Sequence, residues 1–287
     1  MVMSTPTLQH LVRRLAVLAG ILVPFSVLVP AATAGAAPTW ASASTATVHP
    51  GVQLFTSGAQ CTANFIYTDG SNVYIGQAAH CSSTGGNTAT NGCTTQSLPI
   101  GTPVTITGAS KPGTLVYNSW ITMQSLHETD ANTCAFNDLA LVKVDPADIA
   151  SVNPSIPHWG GPVGINTSGT SSLETVFSYG NSELRLGVTQ LSPKLGVSEG
   201  DTGGGWSHTV FTVTPGIPGD SGSAFLDANG NALGILSTLD VGVPGGVTNG
   251  VGDLSRELAY LHAHSSFGAV QLATGTQSFN GSQLPIG

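Results

Sequence analysis

The sequence predicts an all-β fold with one short helix near its C-terminal end. Three observations predict it. Short β-branched and aromatic runs alternate with turn clusters, in a chain holding 37 Gly and 17 Pro. One stretch alone has helical periodicity. Charged residues make up 8% of the 287 positions, against roughly 25% in ordinary globular chains, which excludes a coiled coil and a disordered polyampholyte.

The β-rich runs are Val52–Phe55, Ala63–Tyr67, Val73–Ala78, Val104–Thr107, Leu115–Met123, Leu139–Val144, Thr175–Ser178, Thr209–Val213, Ser223–Leu226 and Ala232–Ser237. Asp227-Ala228-Asn229-Gly230 joins the last two as a hairpin turn. It is not a calcium loop, because Ala232 stands where such a loop needs Gly and no Glu closes it. Leu254–His262 reads as the helix, with Asp253 as N-cap and Leu254, Leu258 and Leu261 on one stripe. No internal repeat and no dividing linker is visible. The pattern is that of one barrel or sandwich unit.

The N-terminal residues are not expected to be part of the fold. Arg13 and Arg14 precede an apolar stretch, Leu15–Pro30, that is shorter than the ~20 residues needed to span a bilayer and contains Pro24. Ala32-Thr33-Ala34 then fits a small-x-small cleavage site, so residues 1–34 read as a secretory signal peptide, with Ala36 as a second cleavage choice. Residues 35–48 are small and polar and read as a flexible leader. No stable membrane anchor is expected after cleavage. Four cysteines, Cys61, Cys81, Cys93 and Cys134, suit an exported chain with two disulfides, and three pairings are open.

The charge balance excludes partners as well. There are 7 Lys and Arg against 15 Asp and Glu, and two of the arginines lie in the signal. Too few cations remain to neutralise phosphates, so no nucleic acid is expected. No metal and no cofactor is expected either. There is no Cys-x-x-Cys, and His262 and His264, two apart on a helix, face different ways. His49, His127, His158 and His208 have no motif around them.

Three separated segments carry chemistry. Ile75-Gly76-Gln77-Ala78-Ala79-His80-Cys81 places a histidine at the end of an apolar strand. Asn137-Asp138-Leu139-Ala140-Leu141-Val142-Lys143-Val144 places a carboxylate at the mouth of a strand that reads as buried, where it needs a partner. Pro218-Gly219-Asp220-Ser221-Gly222-Ser223-Ala224 places a serine between glycines. A serine hydroxyl needs a neighbouring base, and a buried carboxylate orients that base. The chain order His, Asp, Ser differs from the subtilisin and α/β-hydrolase orders.

On these segments the chain resembles the trypsin- and chymotrypsin-like serine peptidases in their bacterial secreted form. Ala78-Ala79-His80-Cys81 is similar to the histidine box, Asp138–Lys143 to the aspartate strand and Gly219-Asp220-Ser221-Gly222 to the serine box. Gly234-Ile235-Leu236-Ser237 is similar to the strand that follows it. The resemblance covers roughly residues 49–264. It implies two packed six-stranded antiparallel β-barrels, about 49–155 and 156–252, followed by the short C-terminal helix and a tail, 265–287. It implies a monomeric serine endopeptidase acting on a protein or peptide substrate. Ser221 would be the nucleophile, His80 the base, Asp138 the orienting carboxylate, and the N–H groups of Gly219 and Ser221 the oxyanion hole. It also implies a Cys61–Cys81 bridge beside the histidine, which leaves Cys93–Cys134. The rivals are a catalytically silent binding module of the same fold and a secreted esterase with the same triad.

The departures are informative. Gln77 replaces a small hydroxyl residue, and Ser223-Ala224 replaces Gly-Pro. The activation segment whose new amino terminus pairs with the aspartate beside the nucleophile is missing, so Asp220 needs another cation. Arg185 is the choice among Lys111, Lys143, Arg185, Lys194 and Arg256. The primary pocket is expected to have Pro215 at its base, Ser237 and Leu239 on one wall and Gly246 on the other. This neutral pocket predicts cleavage after small or medium apolar residues. The counter-reading turns Asp240 into the pocket.

Overall fold

The structure is a computed structural model and describes residues 1–2, 38–85, 90–243 and 246–285. The signal-peptide assignment falls almost wholly outside the described residues. Among those described, no helix is long and apolar enough to cross a membrane. The first antiparallel system contains β1 (Gln53–Thr56), β2 (Ala59–Thr62), β3 (Ile66–Thr68), β4 (Val73–Ala78), β5 (Pro103–Ile106), β6 (Gly113–Asn118) and β7 (Leu139–Lys143). Two short helices, α1 (Ser119–Ser125) and α2 (Ala131–Phe136), lie between β6 and β7. The second contains β8 (Thr175–Tyr179), β9 (Pro193–Thr202), β10 (Ser207–Thr212), β11 (Ala224–Leu226), β12 (Ala232–Val243) and β13 (Gly246–Asp253). Helix α3 (Leu254–His264) and β14 (Gln271–Leu272) follow.

The second system is a closed barrel of six strands in the order β10-β13-β12-β11-β8-β9. The first is a ladder in the order β14-β3-β4-β7-β6-β5-β1-β2. Strands β2, at one end, and β3, next to β14 at the other, are halves of one bent segment. Cys61 pairs with Leu54 on β1 and Ile66 pairs with Ile75 on β4. Between them Asn64 N–H donates to Gly76 O at 2.9 Å and Gly76 N–H to Phe65 O at 3.0 Å. The bend curls six strands round one core, with β14 added at an edge. The all-β, two-barrel fold expected from the sequence is therefore present.

Strand β7 shows why its sequence is apolar without alternation. Ala140 and Val142 face the core of the first barrel, with Leu54, Ile75 and Leu115. Leu139 and Leu141 face the opposite way, into a second core shared with Phe177, Leu226 and Ile235 of the other barrel and Leu254, Leu258 and Leu261 of α3. A strand buried on both faces reads as a continuous hydrophobic run. Each such leucine contributes roughly 2–3 kcal/mol on burial. The second barrel closes over Val176, Val210, Phe225, Leu233, Leu236 and Val251.

Several local readings differ from the sequence expectation. The run Leu115–Met123 does not continue as a strand. Asn118 Oδ1 accepts the N–H groups of Trp120 and Ile121 and starts α1, the usual work of an N-cap asparagine. Strands β2, β9 and β13 are polar or glycine-rich and carry no β-rich run, yet each pairs in the ladders. The part of the leader that is described is tied down. Ala41 N–H donates to Val152 O at 2.9 Å, Asn153 Nδ2 donates to Ala41 O at 2.6 Å, and Trp40 packs on the first core. The C-terminal residues also dock. β14 pairs with β3, Asn280 N–H donates to Trp159 O at 2.8 Å, and the Phe279 ring lies 5.1 Å from that of Phe177.

Candidate active site

The site begins with strand register. Antiparallel pairing of β4 with β7 sets Ala78 opposite Leu139. The next residue outward on each strand is then carried to the same end, and Asp138 meets Ala79 and His80 there. Asp138 Oδ1 accepts the His80 backbone N–H at 2.9 Å, and Oδ2 lies 2.7 Å from His80 Nδ1. Ser237 Oγ, from β12 of the other barrel, donates to the same Oδ2 at 2.5 Å. Asp138 is buried, while the His80 side chain is 23% exposed. Burial pulls the His80 pKa down, but the charge of Asp138 and the hydrogen bond to it outweigh that and leave it above 6.5. A proton on Nδ1 facing the carboxylate leaves the Nε2 lone pair as acceptor.

The serine loop is docked against the same strand ends. Gly219 has φ +95°, and Asp220 N–H donates to Ile217 O at 2.8 Å. This is the pattern of a type II turn, which needs a glycine at its third position. Gly219 O accepts from Gln60 Nε2 at 3.0 Å and Thr62 Oγ1 at 2.8 Å, and Ser221 O accepts the Thr62 N–H at 2.9 Å. Gly222, at φ +86°, sits so close to β4 that a Cβ would lie 2.8 Å from Ala78 N. The structure thus pairs His80 with Asp138 and seats the Ser221 loop on β4, which ends two residues before His80. The Ser221 hydroxyl is not hydrogen-bonded to the imidazole. Such contacts are often loose before substrate binds.

Asp220 is wholly buried and lies between two cations. Arg185 Nη2 donates to its Oδ2 at 2.6 Å, and Lys194 Nζ lies 3.0 Å from the same oxygen. Its Oδ1 accepts the Ser182 N–H at 3.0 Å. Arg185 was legible as a choice among five cations; Lys194, in a polar-looking strand, was not singled out.

The residues expected to line a primary pocket lie on the segment before Asp220 and on β12 and β13. Pro215 is half-buried, and its carbonyl accepts from Arg185 at 3.0 Å. Leu239, 39% exposed, pairs across β12 and β13 with Asn249. Asn249 is buried, takes the Gly216 N–H on Oδ1 at 2.8 Å and donates from Nδ2 to Thr238 O at 3.0 Å. It pins the loop carrying Gly216 to β12 and β13, a role its neutral glycine-rich surroundings did not signal. Gly246 opens β13 beside the undescribed residues 244–245, and its surroundings lie outside the described residues. Asp240 is exposed on β12.

Both bridges form as the resemblance implied, Cys61–Cys81 and Cys93–Cys134. The sulfurs of Cys61 and Cys81 cluster with a His80 nitrogen within 4.8 Å. Bridged sulfurs carry no thiolate, so this cluster is not a metal ligand set.

No family model and no curated protein matches the sequence. Solved structures do match. Protease A of Thermobifida fusca is 17% identical, over 79% of this chain and 99% of its own, with a TM-score of 0.50. A glutamic-acid-specific serine protease that uses a histidine triad in substrate binding is 18% identical, over 79% of this chain and 100% of its own, also at 0.50. The likeness at these identities is one of fold. The chain has the two-barrel fold of the bacterial trypsin- and chymotrypsin-like serine proteases.

Proposed function

We propose that this chain is a secreted serine endopeptidase that hydrolyses peptide bonds through an acyl-enzyme. The observation that carries the reading is the buried Asp138 carboxylate bound to His80 Nδ1, beside the docked Ser221 loop. His80 Nε2 takes the Ser221 proton as Oγ attacks the substrate carbonyl carbon. The same imidazole returns that proton to the leaving amine as the C–N bond breaks. Water, activated by His80, then cleaves the ester and restores Ser221. Asp138 holds the tautomer and stabilises the imidazolium. The N–H groups of Gly219 and Ser221 have no acceptor among the described residues and stand ready for the developing oxyanion. Each such donor is worth about 3 kcal/mol in the transition state.

The two disulfides and the apolar N-terminal segment support export. The preference proposed before the cut bond is for small or medium apolar residues. The glutamic-acid-specific protease reads its substrate with a histidine triad. Here an apolar cluster fills part of the second barrel, whose strands also bury Lys194, Ser198 and His208, and His208 is engaged by Asp201 and Asp253. That favours an apolar pocket over an acid-reading one.

The test is labelling of the purified protein by a fluorophosphonate probe, followed by cleavage of a peptide library. Labelling lost in Ser221→Ala, with peptide turnover, supports the reading. Absence of labelling in the unaltered protein favours a silent binding module. Turnover of lipid esters without turnover of casein or peptides favours an esterase.

A further inference from the structure

Lys194 lies on β9, opposite Ser178 of β8, and its side chain has no exposure. Burying an ammonium is costly unless all its donors are used. Lys194 Nζ forms an ion pair with Asp220 Oδ2 at 3.0 Å and donates to Thr214 O at 3.2 Å and Pro215 O at 3.4 Å. Arg185 already gives Asp220 one full charge at 2.6 Å, so the carboxylate would be neutralised without the lysine. The second cation therefore needs a reason beyond charge balance. All three of its partners are on the segment 214–220, which runs directly into Ser221.

We propose that Lys194 is a positioning residue of the hydrolytic reaction: its buried ammonium, shared with Arg185 over Asp220, fixes the turn that presents the N–H groups of Gly219 and Ser221. The inference rests on the serine-hydrolase reading of the site. Arg185 approaches Asp220 from the loop after β8, and Lys194 from β9 within the barrel wall. Gripped from two elements, the carboxylate cannot swing about a single bond. Removing either grip loosens the turn on the Asp220 side, while Gln60 and Thr62 still hold Gly219 O from the other.

The arrangement has a pH signature. Burial lowers the Lys194 pKa, the charge of Arg185 lowers it further, and Asp220 raises it, leaving it at about 8. The groups facing the ammonium are Asp220 and Arg185 from the two loops; β8 brings Ser178, and β9 adds no other charge beside it. Below about pH 8 both cations hold Asp220. Above it Arg185 acts alone, so activity falls on the alkaline side.

The experiment measures the rate of fluorophosphonate labelling and of peptide turnover from pH 6 to pH 10. The proteins are the unaltered chain, Lys194→Met, Arg185→Met and Ser221→Ala, with the thermal midpoint of each. Lys194→Met should lose tenfold or more in kcat at pH 7 with little change in KM, and should show no alkaline fall. Arg185→Met should move the alkaline fall to higher pH and deepen it, because the lysine loses a repelling neighbour and becomes the sole grip. The thermal midpoint of Lys194→Met should not drop, since a costly buried charge is removed. An alkaline fall that stays unchanged in both variants, or a Lys194→Met protein with full kcat, overturns the proposal while the hydrolase reading stands. If Lys194→Met does not fold, the direction of the shift in Arg185→Met decides. Absence of labelling in the unaltered chain overturns both readings.

Discussion

Glu257, wholly buried on α3, accepts the backbone N–H of Asp138 on Oε1 at 2.9 Å. The carboxyl of a second acid thus sits directly behind the one that holds His80. Burial, with the negative charges of Asp138 and Asp253, raises the Glu257 pKa well above the ordinary value. Two buried carboxyl groups this close oppose each other's ionisation, and Glu257 is the one held toward its protonated form.

A first prediction follows for stability. The folded chain releases the Glu257 proton at a higher pH than the unfolded chain, which releases it at about pH 4.3. Stability therefore falls as pH rises beyond that value. Glu257→Gln keeps the acceptor without this penalty. Its thermal midpoint relative to the unaltered protein should be higher at pH 7 than at pH 4. Glu257→Leu strands the Asp138 N–H and should cost about 1–3 kcal/mol. Thermal unfolding at the two pH values measures the first and urea unfolding the second; a Gln variant with the same offset at each pH refutes the raised Glu257 pKa.

A second prediction concerns the triad. Ser221→Ala, His80→Ala and Asp138→Ala should each cut turnover on the order of 10^4–10^6. The base works only when neutral, and its pKa lies above 6.5, so kcat/KM should rise with pH through a midpoint above that value. Asp138→Asn, which removes the raising charge, should shift the residual profile to lower pH. Asp130 is the control. It caps α2 by accepting the Thr133 N–H at 2.8 Å, so Asp130→Ala should lower stability slightly and leave activity nearly unchanged. Full activity in Asp138→Ala would show that the wrong aspartate has been assigned.

These results divide along a physical line. The pairing of His80 with Asp138 and the docking of the Ser221 loop beside them were legible because each residue lies in a short local pattern, a strand end or a glycine turn, that does not depend on distant contacts. The barrels were legible for the same reason, since the apolar runs that build the cores of β4 and β7 are continuous. Glu257, Lys194 and Asn249 were not. Each is polar in a polar-looking neighbourhood, and only register and packing show that it is buried against the site. The start of α1 was missed because Leu115–Tyr117 is strand-like and a single residue, Asn118, changes the backbone course. The leader misled by composition, since small polar residues also fit a segment bonded to Val152 and Asn153.

A third prediction concerns His208. Its Nδ1 lies 2.8 Å from Asp201 and its Nε2 3.0 Å from Asp253, which also caps α3. Two carboxylates on two ring nitrogens require an imidazolium. Burial lowers the pKa, but the hydrogen bonds and charges of Asp253 and Asp201 outweigh it and leave it above 6.5. The stabilisation is fully present below about pH 6.5 and is lost as pH rises through the folded value. Urea unfolding should give lower stability at pH 9 than at pH 6, and Asp201→Asn should reduce that difference. A slope untouched by Asp201→Asn would remove this ion cluster from the account.

The fourth prediction is cleavage preference. The register of β12 with β13 sets Leu239 opposite Asn249, and Asn249 clamps the loop carrying Pro215 and Gly216. A Cβ at Gly216 would come within 2.7 Å of Leu236, so the loop packs tightly on an apolar side chain. A leucine at the rim and an apolar floor suit Ala, Val or Leu before the cut bond. An aliphatic pocket discriminates by only about 1–3 kcal/mol per methylene, so the preference should be broad. Chromogenic peptides differing at this one residue measure it. Leu239→Gly should open the rim and raise kcat/KM for Phe relative to Ala. Two outcomes would overturn the apolar pocket, and they point to different residues. A tenfold or greater advantage for Arg or Lys, about 1.4 kcal/mol, would mean that Asp240 reaches the substrate. The same advantage for Glu or Asp would mean that Arg185 and Lys194, whose donors already meet Pro215 O at 3.0 and 3.4 Å, act through the pocket base.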